Sequence, residues 1–406
     1  MIINFRNIFI SIFFFVSPFV DGLTGFMLSN GMLSEGSLFS PSQLFRLFLT
    51  IFSFYFLKSS EALLVLTITV LLLILELSSF WLHQNFTGFL LSMVYAYKLI
   101  FVLLVFIILR KSVSDNMILL RYFVIGSFLY ALILVVTVVL GVGESTYAQG
   151  AGGSKGFFAS GNGLSVFLGV SSILAYYYYI QNKSRTKLVY YLVILVGTGL
   201  VGTKASIFFI LLNFGVFLYY NRRGLYFLGI AIVLLFFVFF DQLVSVFNVL
   251  FEVIVFRYSA SSSLASFLAS GRDVYIRNAF EVFNSSGLHS IRSIIGSGIF
   301  LSFRDYHDLS LPYDTLESDL FDVFFSYGAI GVLSYLLVIL VGMYVSLRKS
   351  QYLLFVVWCS LCSYSLIAGH MLFNSMSNIA FLILFILILQ SPRFSNEKKY
   401  NRLSST

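Results

Sequence analysis

The chain is a succession of apolar runs, each closed by a few polar residues. In order they cover 5–20, 43–57, 62–80, 88–109, 117–141, 160–180, 188–203, 205–221, 224–250, 320–346, 352–369 and 372–390. An apolar run of roughly 20 residues crosses a bilayer as a helix. Hydrophobic residues make up 59% of the chain and charged residues 10%, against roughly 25% charged in a soluble domain. So much apolar surface cannot be hidden in a water-soluble core. The sequence predicts an all-α, polytopic integral membrane protein of about twelve transmembrane helices, built as a single membrane domain over 1–406. The first run has no small-x-small cleavage pattern after it, and Pro18 and Asp21 close it, so it reads as a first membrane helix.

Charge placement orients these helices. With the N-terminus cytoplasmic, sixteen of the 25 Lys and Arg residues fall on the cytoplasmic side, among them Lys58, Arg110, Lys111, Arg348 and Lys349. The links at 81–87 and 370–371 and the segment 21–42 carry neither Lys nor Arg. Cytoplasmic loops are the ones enriched in Lys and Arg. Both termini are therefore expected in the cytoplasm, and one large loop, 252–319, outside it.

That loop is too polar for lipid. Its five cations are all arginine (Arg257, Arg272, Arg277, Arg292 and Arg304), and it holds eight acids, ending in Asp314, Glu317 and Asp319. A guanidinium is a rigid fork that grips phosphate oxygens, where an ammonium is only a mobile point charge. Pairing with the neighbouring acids is the plainer role for any one of these arginines. Ser270 followed by Asp273 reads as a helix start, and Tyr275, Ala279, Val282 and Phe283 form an apolar stripe. Asp273, Arg277 and Glu281 share another face, and Asn284-Ser285-Ser286-Gly287 stops the helix. Such a helix is expected to lie on the membrane surface. Residues 241–256 are a second surface-helix candidate.

Where the loop enters the tenth run, Glu317-Ser318-Asp319 can cap a helix, bind a divalent cation or move protons. Tyr306 and His307 add proton-transfer groups nearby. Lys204, in Gly202-Thr203-Lys204-Ala205-Ser206, can snorkel to headgroups or hold a phosphate. Lys155 opens Lys155-Gly156-Phe157-Phe158-Ala159-Ser160-Gly161-Asn162, a glycine-rich stretch read as a flexible outside loop leading into the sixth helix. Glu76 and Lys98 lie within runs, where ionisable groups face a partner or a cavity. Cys359 and Cys362 read as small apolar fillers. Nothing points to nucleic-acid binding, since the basic residues flank membrane helices.

Taken in order, these pieces over residues 145–390 resemble the Wzy-type O-antigen and capsular polysaccharide polymerases and the related O-antigen ligases. The matching elements are GFFASGN at 156–162, GTKAS with Lys204, Ser270-Gly271-Arg272, Gly296-Ser297-Gly298 and ESDLFDVFFSYGAIG at 317–331. Ligases have a histidine followed by Asn near Glu317; Glu-Ser-Asp here favours the polymerase. Residues 1–140 match only in hydropathy. The resemblance implies an inverting glycosyltransferase in a bacterial inner membrane, with no metal and no cofactor. A growing glycan would leave undecaprenyl diphosphate for the terminal sugar of a new lipid-linked repeat unit. It implies Glu317 as base with His307 in reserve, Asp319 positioning Glu317 or the sugar, and Arg272 and Arg277 on the donor diphosphate, assisted by Lys204. Arg257, Lys155 and Asn162 are further substrate-binding candidates, and a chain-length regulator is an implied partner. Competing readings are an O-antigen ligase and a flippase or anion transporter.

Overall fold

The computed structural model describes residues 5–34, 37, 39–83, 86–112, 116–146, 153–221, 272–285, 289–299, 316–369 and 371–390. The ninth expected span, the 241–256 surface helix, Arg257, His307 and Ser270 lie outside the described residues.

The described residues are all-α but for one small hairpin. The helices are α1 (Phe5–Ser29), α2 (Pro41–Phe54), α3 (Ser59–His83), α4 (Phe86–Ser112), α5 (Asn116–Val139), α6 (Gly161–Gln181), α7 (Arg185–Val201), α8 (Lys204–Tyr220), α9 (Arg272–Ser285), α10 (His289–Ile295), α11 (Asp319–Arg348), α12 (Tyr352–Ala368) and α13 (Ser375–Gln390). Strands β1 (Glu144–Ser145) and β2 (Ser154–Gly156) pair antiparallel between α5 and α6. Among the described residues six helices are long and apolar enough to cross a membrane: α1, α3, α4, α5, α6 and α11. The protein is thus an all-α membrane-embedded chain.

Three expectations are corrected. The first helix does not end at Pro18 and Asp21 but runs on to Ser29. Asp21 is tolerated inside it because Arg46 lies 3.2 Å away, Ser42 donates at 2.7 Å and Tyr130 donates its hydroxyl. The second run forms a helix of 14 residues, which rises about 21 Å and falls short of the ~30 Å hydrocarbon core. Pro41 and the Ser40 cap, which accepts from Gln43 N at 3.4 Å, set its start. The glycine-rich stretch is no flexible loop over its described part. Residues 154–156 form a strand, and Phe158 is 1% exposed.

Helix α6 is the hub, with 89% of its spanning window buried, among α5, α7, α8 and α13. Small residues let neighbours approach closely, as lipid-embedded helices require. A Cβ on Gly169 would sit 2.5 Å from Phe209 Cβ. Polar side chains bond between these helices: Ser127 of α5 to Ser171 of α6 at 2.9 Å, and Tyr191 of α7 to Asn213 of α8 to Ser172 of α6 at 3.0 and 2.9 Å. Helix α3 is the opposite case. Only 11% of its window is buried, and Leu63, Leu64, Leu71 and Ile74 face outward, as a lipid-facing helix demands.

The two ends of the bundle differ in charge. At one end Lys111 pairs with Glu61, Gln390 Nε2 donates to Arg110 O at 2.6 Å, and Lys349 Nζ donates to Leu389 O at 2.6 Å. Cations there sit at helix C-termini, where the dipole favours them. The other end carries the hairpin, the α7–α8 turn, α9, α10 and the link before α13.

Candidate functional site

At that second end, α9 packs on the start of α11. Ala279 and Phe283 of the predicted stripe are buried against Leu316 and Phe325, and Phe280 meets Phe325 edge-on at 5.0 Å. These stripe residues therefore face protein rather than lipid. This packing fixes Arg272, the first residue of α9. It is 8% exposed, and its guanidinium donates to the carboxylate of Glu317, 45 positions away in the chain. The Glu317 side chain remains 44% exposed. Its backbone is left-handed at φ +55, a conformation that costs a non-glycine residue about 1–2 kcal/mol. A buried arginine and a strained, reachable carboxylate thus meet at the loop's exit.

Arg277 does not join them. Five residues along a helix turn it about 140° from Arg272. It is exposed, with Asp273 and Glu281 also exposed. Arg292 is buried instead, donating to Ser297 Oγ at 2.9 Å and lying 5.0 Å over the Phe283 ring. Burial lowers its proton affinity, but a guanidinium stays charged at neutral pH.

A glycine break in α11 sets this geometry. Gly328 interrupts α11 at φ +62, ψ −162. Ser297 N donates to Phe325 O at 3.2 Å and Gly298 N to Ser326 O at 3.0 Å, so the segment after α10 lies directly against the break. A Cβ on Gly328 would fall 2.4 Å from Ile294 C. Just beyond, Ile299 N donates to both oxygens of the buried Glu76 at 3.2 Å. Glu76 thus ties α3 to the loop.

Asp319 is fully buried and faces away from solvent. Its carboxylate accepts from Met371 N at 2.9 and 3.1 Å, from Leu372 N at 3.1 Å and from the Ser365 hydroxyl. Its observed partners are thus the α12–α13 link and α12, and it holds that link to α11. Ser318 Oγ adds a bond to Leu366 O at 3.0 Å.

The remaining candidates are scattered. Lys204 is the exposed first residue of α8, capped by Thr203. Lys155 lies 3.3 Å from Glu144 across the hairpin. Thr146 Oγ1 donates to Val201 O at 2.7 Å, which seats that hairpin on the α7–α8 turn. Asn162 is exposed in the first turn of α6. Cys359 and Cys362 are free thiols. Among the described residues no three His, Cys, Asp or Glu side chains gather as metal ligands.

Sequence reasoning missed a cavity of about 190 Å³ between α1, α2, α4 and the start of α13. Asp21, Arg46, Lys98, Ser160 and Asn374 are among its lining residues. Lys98 Nζ sits 4.0 Å above the Tyr95 ring. The signal was an acid and an arginine at neighbouring apolar runs: Asp21, read only as a helix end, and Arg46.

A scan of the sequence against protein-family models gave no match, and neither did a comparison with curated proteins.

Proposed function

We propose that this protein is a polysaccharide repeat-unit polymerase of the Wzy type. It would take a growing glycan from undecaprenyl diphosphate and place it on the terminal sugar of a new lipid-linked repeat unit, at the outer face of a bacterial inner membrane. The observation that carries this reading is the buried Arg272 bridged to the strained, accessible Glu317.

The pair explains how both partners could be released together. A diphosphate arriving at Arg272 competes with Glu317 for the guanidinium, since phosphate oxygens match its fork as well as a carboxylate does. Glu317, freed, takes the proton of the acceptor hydroxyl. That oxygen attacks the anomeric carbon from the opposite side. The bond to the diphosphate breaks, and the diphosphate leaves with the electron pair, balanced by Arg272. The product has inverted configuration. His307 stays the reserve base, and Lys204, Arg257, Lys155 and Asn162 remain secondary candidates for the glycan and its lipid carrier. A chain-length regulator is the expected protein partner.

Sidedness supports the same reading. The cation-rich bundle end fits the cytoplasmic face, and the Arg272–Glu317 end fits the outside. This sidedness fits the expected even number of passes with both termini cytoplasmic.

The test is incubation of purified protein with a synthetic undecaprenyl-diphosphate repeat unit, with and without EDTA. A ladder of products that survives EDTA is expected. Glu317→Gln should lower turnover by about 10²–10⁴ with donor affinity kept. Arg272→Ala should weaken donor binding. Unchanged polymer formation by Glu317→Gln removes Glu317 as the base, and a wild-type enzyme that yields no ladder overturns the function.

A further inference from the structure

Glu317 and Ser350 are the non-glycine residues with a positive φ among the described ones, and Ser350 lies past the far end of α11. A side chain stays in such a conformation only where its surroundings over-determine it. At Glu317 the restraint lies in the residues on either side. Leu316 is fully buried and packs with Ala279, Phe283 and Phe325. Ser318 is buried too. It makes no side-chain cap on α11, because its Oγ is committed to Leu366 O.

Both neighbours are gripped by a third residue. Asp322, in the first turn of α11, is buried. Its Oδ1 accepts from Leu316 N at 2.7 Å, and its own N donates to Ser318 O at 2.9 Å. One residue thus holds the backbone both before and after Glu317. The first of these bonds reaches back past the start of the helix, and a side chain makes it. Without that oxygen the Leu316 N–H is a buried donor with no acceptor, which a folded chain avoids by moving the segment. Asp322 Oδ2 has no hydrogen-bond partner among the described residues. What the turn draws on is therefore one acceptor oxygen. Burial also keeps Asp322 away from a substrate, so its effect on transfer runs through Glu317.

We propose that Asp322 is a positioning residue. It holds the 316–318 turn so that Glu317 meets Arg272 in the resting site and the acceptor hydroxyl in the transfer step. The second half rests on the polymerase reading; the first does not.

Two sets of measurements on the purified full chain separate these halves. Hydrogen exchange at Leu316 N should quicken by about tenfold or more in Asp322→Ala. It should stay slow in Asp322→Asn, whose amide oxygen still accepts. Arg272→Ala and Glu317→Ala should shift the thermal midpoint non-additively in the wild type and in Asp322→Asn, but additively in Asp322→Ala, where the pair is no longer held together. In the transfer assay Asp322→Ala should lower kcat by about 10²-fold, the scale of a ~1 Å misplacement. Donor KM should not rise, since α9 holds Arg272 independently. Asparagine in place of alanine at 322 should restore the rate. Added to Glu317→Gln, Asp322→Ala should slow transfer no further, because residues that act as one unit do not add.

An Asp322→Asn rate as low as that of Glu317→Gln overturns the proposal by itself, whether or not Asp322→Ala folds, because the charge would then be the working part. A full additional loss in the Glu317→Gln background overturns it as well, and so does unchanged exchange at Leu316 in Asp322→Ala. Polymer formation that Asp322→Ala leaves at the wild-type rate removes Asp322 and keeps the transfer reading. Exchange and midpoint results as expected, in a wild-type chain that makes no polymer, keep the clamp and remove that reading.

Discussion

Glu317 and Asp319 are two residues apart, and the sequence presents them as one acidic pair. Burial separates them. Glu317 keeps 44% of its side chain exposed, whereas Asp319 is 0% exposed with both oxygens occupied. The difference arises because α11 begins at Asp319, which turns that side chain inward against the 371–372 backbone, while Glu317 precedes the helix in a left-handed turn. Such a divergence cannot be read from spacing alone. It yields a contrast between two conservative variants. Asp319→Asn replaces one acceptor oxygen with a donor amide facing Ser365 Oγ or Met371 N, and should cost about 1–3 kcal/mol of stability. Glu317→Gln keeps an oxygen for Arg272 and should cost less, while losing far more activity. Thermal unfolding of the two purified variants beside their transfer rates measures this. A Glu317→Gln protein less stable than Asp319→Asn would show that the carboxylate at 317 is structural.

The helix that begins at Asp319 is broken where the sequence predicts a single span over 320–346. From Ala329 to Arg348 the second part of α11 has 20 residues, which rise about 30 Å and match the hydrocarbon core without the first part. Residues 319–327 are then free to form the wall on which α9 packs. Gly328 makes the break, and the reason is contact as much as conformation. Its φ of +62 with ψ −162 is a region that costs other residues about 1–3 kcal/mol. A methyl there would also strike Ile294 and Gly296 backbone atoms at 2.4–2.6 Å. Gly328→Ala should therefore lower the thermal midpoint and loosen α10 from α11. Faster hydrogen exchange at Ser297 and Gly298, whose N–H groups bond across the break, would report the loosening; unchanged exchange there would count against it. The glycine was visible in the sequence as part of FFSYGAIG. The partner that makes it necessary, 32 positions earlier at Gly296, was not.

Across the whole molecule, what was legible is what lipid enforces locally. Every apolar run that falls on the described residues coincides with a helix, because burial in hydrocarbon selects long apolar segments whatever surrounds them. What was illegible is long-range. The bond from Ile299 N to Glu76 spans 223 positions, and the pairing of Asp21 with Arg46 joins two runs that looked independent. Function depends on how such contacts sort the two ends of the bundle, so sidedness is the property to test last and most directly. Single cysteines in a Cys359→Ala, Cys362→Ala background serve. Asn284, exposed on α9, and Ser184, exposed in the α6–α7 link, lie at opposite ends. A membrane-impermeant maleimide should label Asn284→Cys in intact spheroplasts and Ser184→Cys only after permeabilisation. Labelling in the reverse order would place Arg272 and Glu317 in the cytosol, where a prenyl-linked glycan presented at the outer face could not reach them.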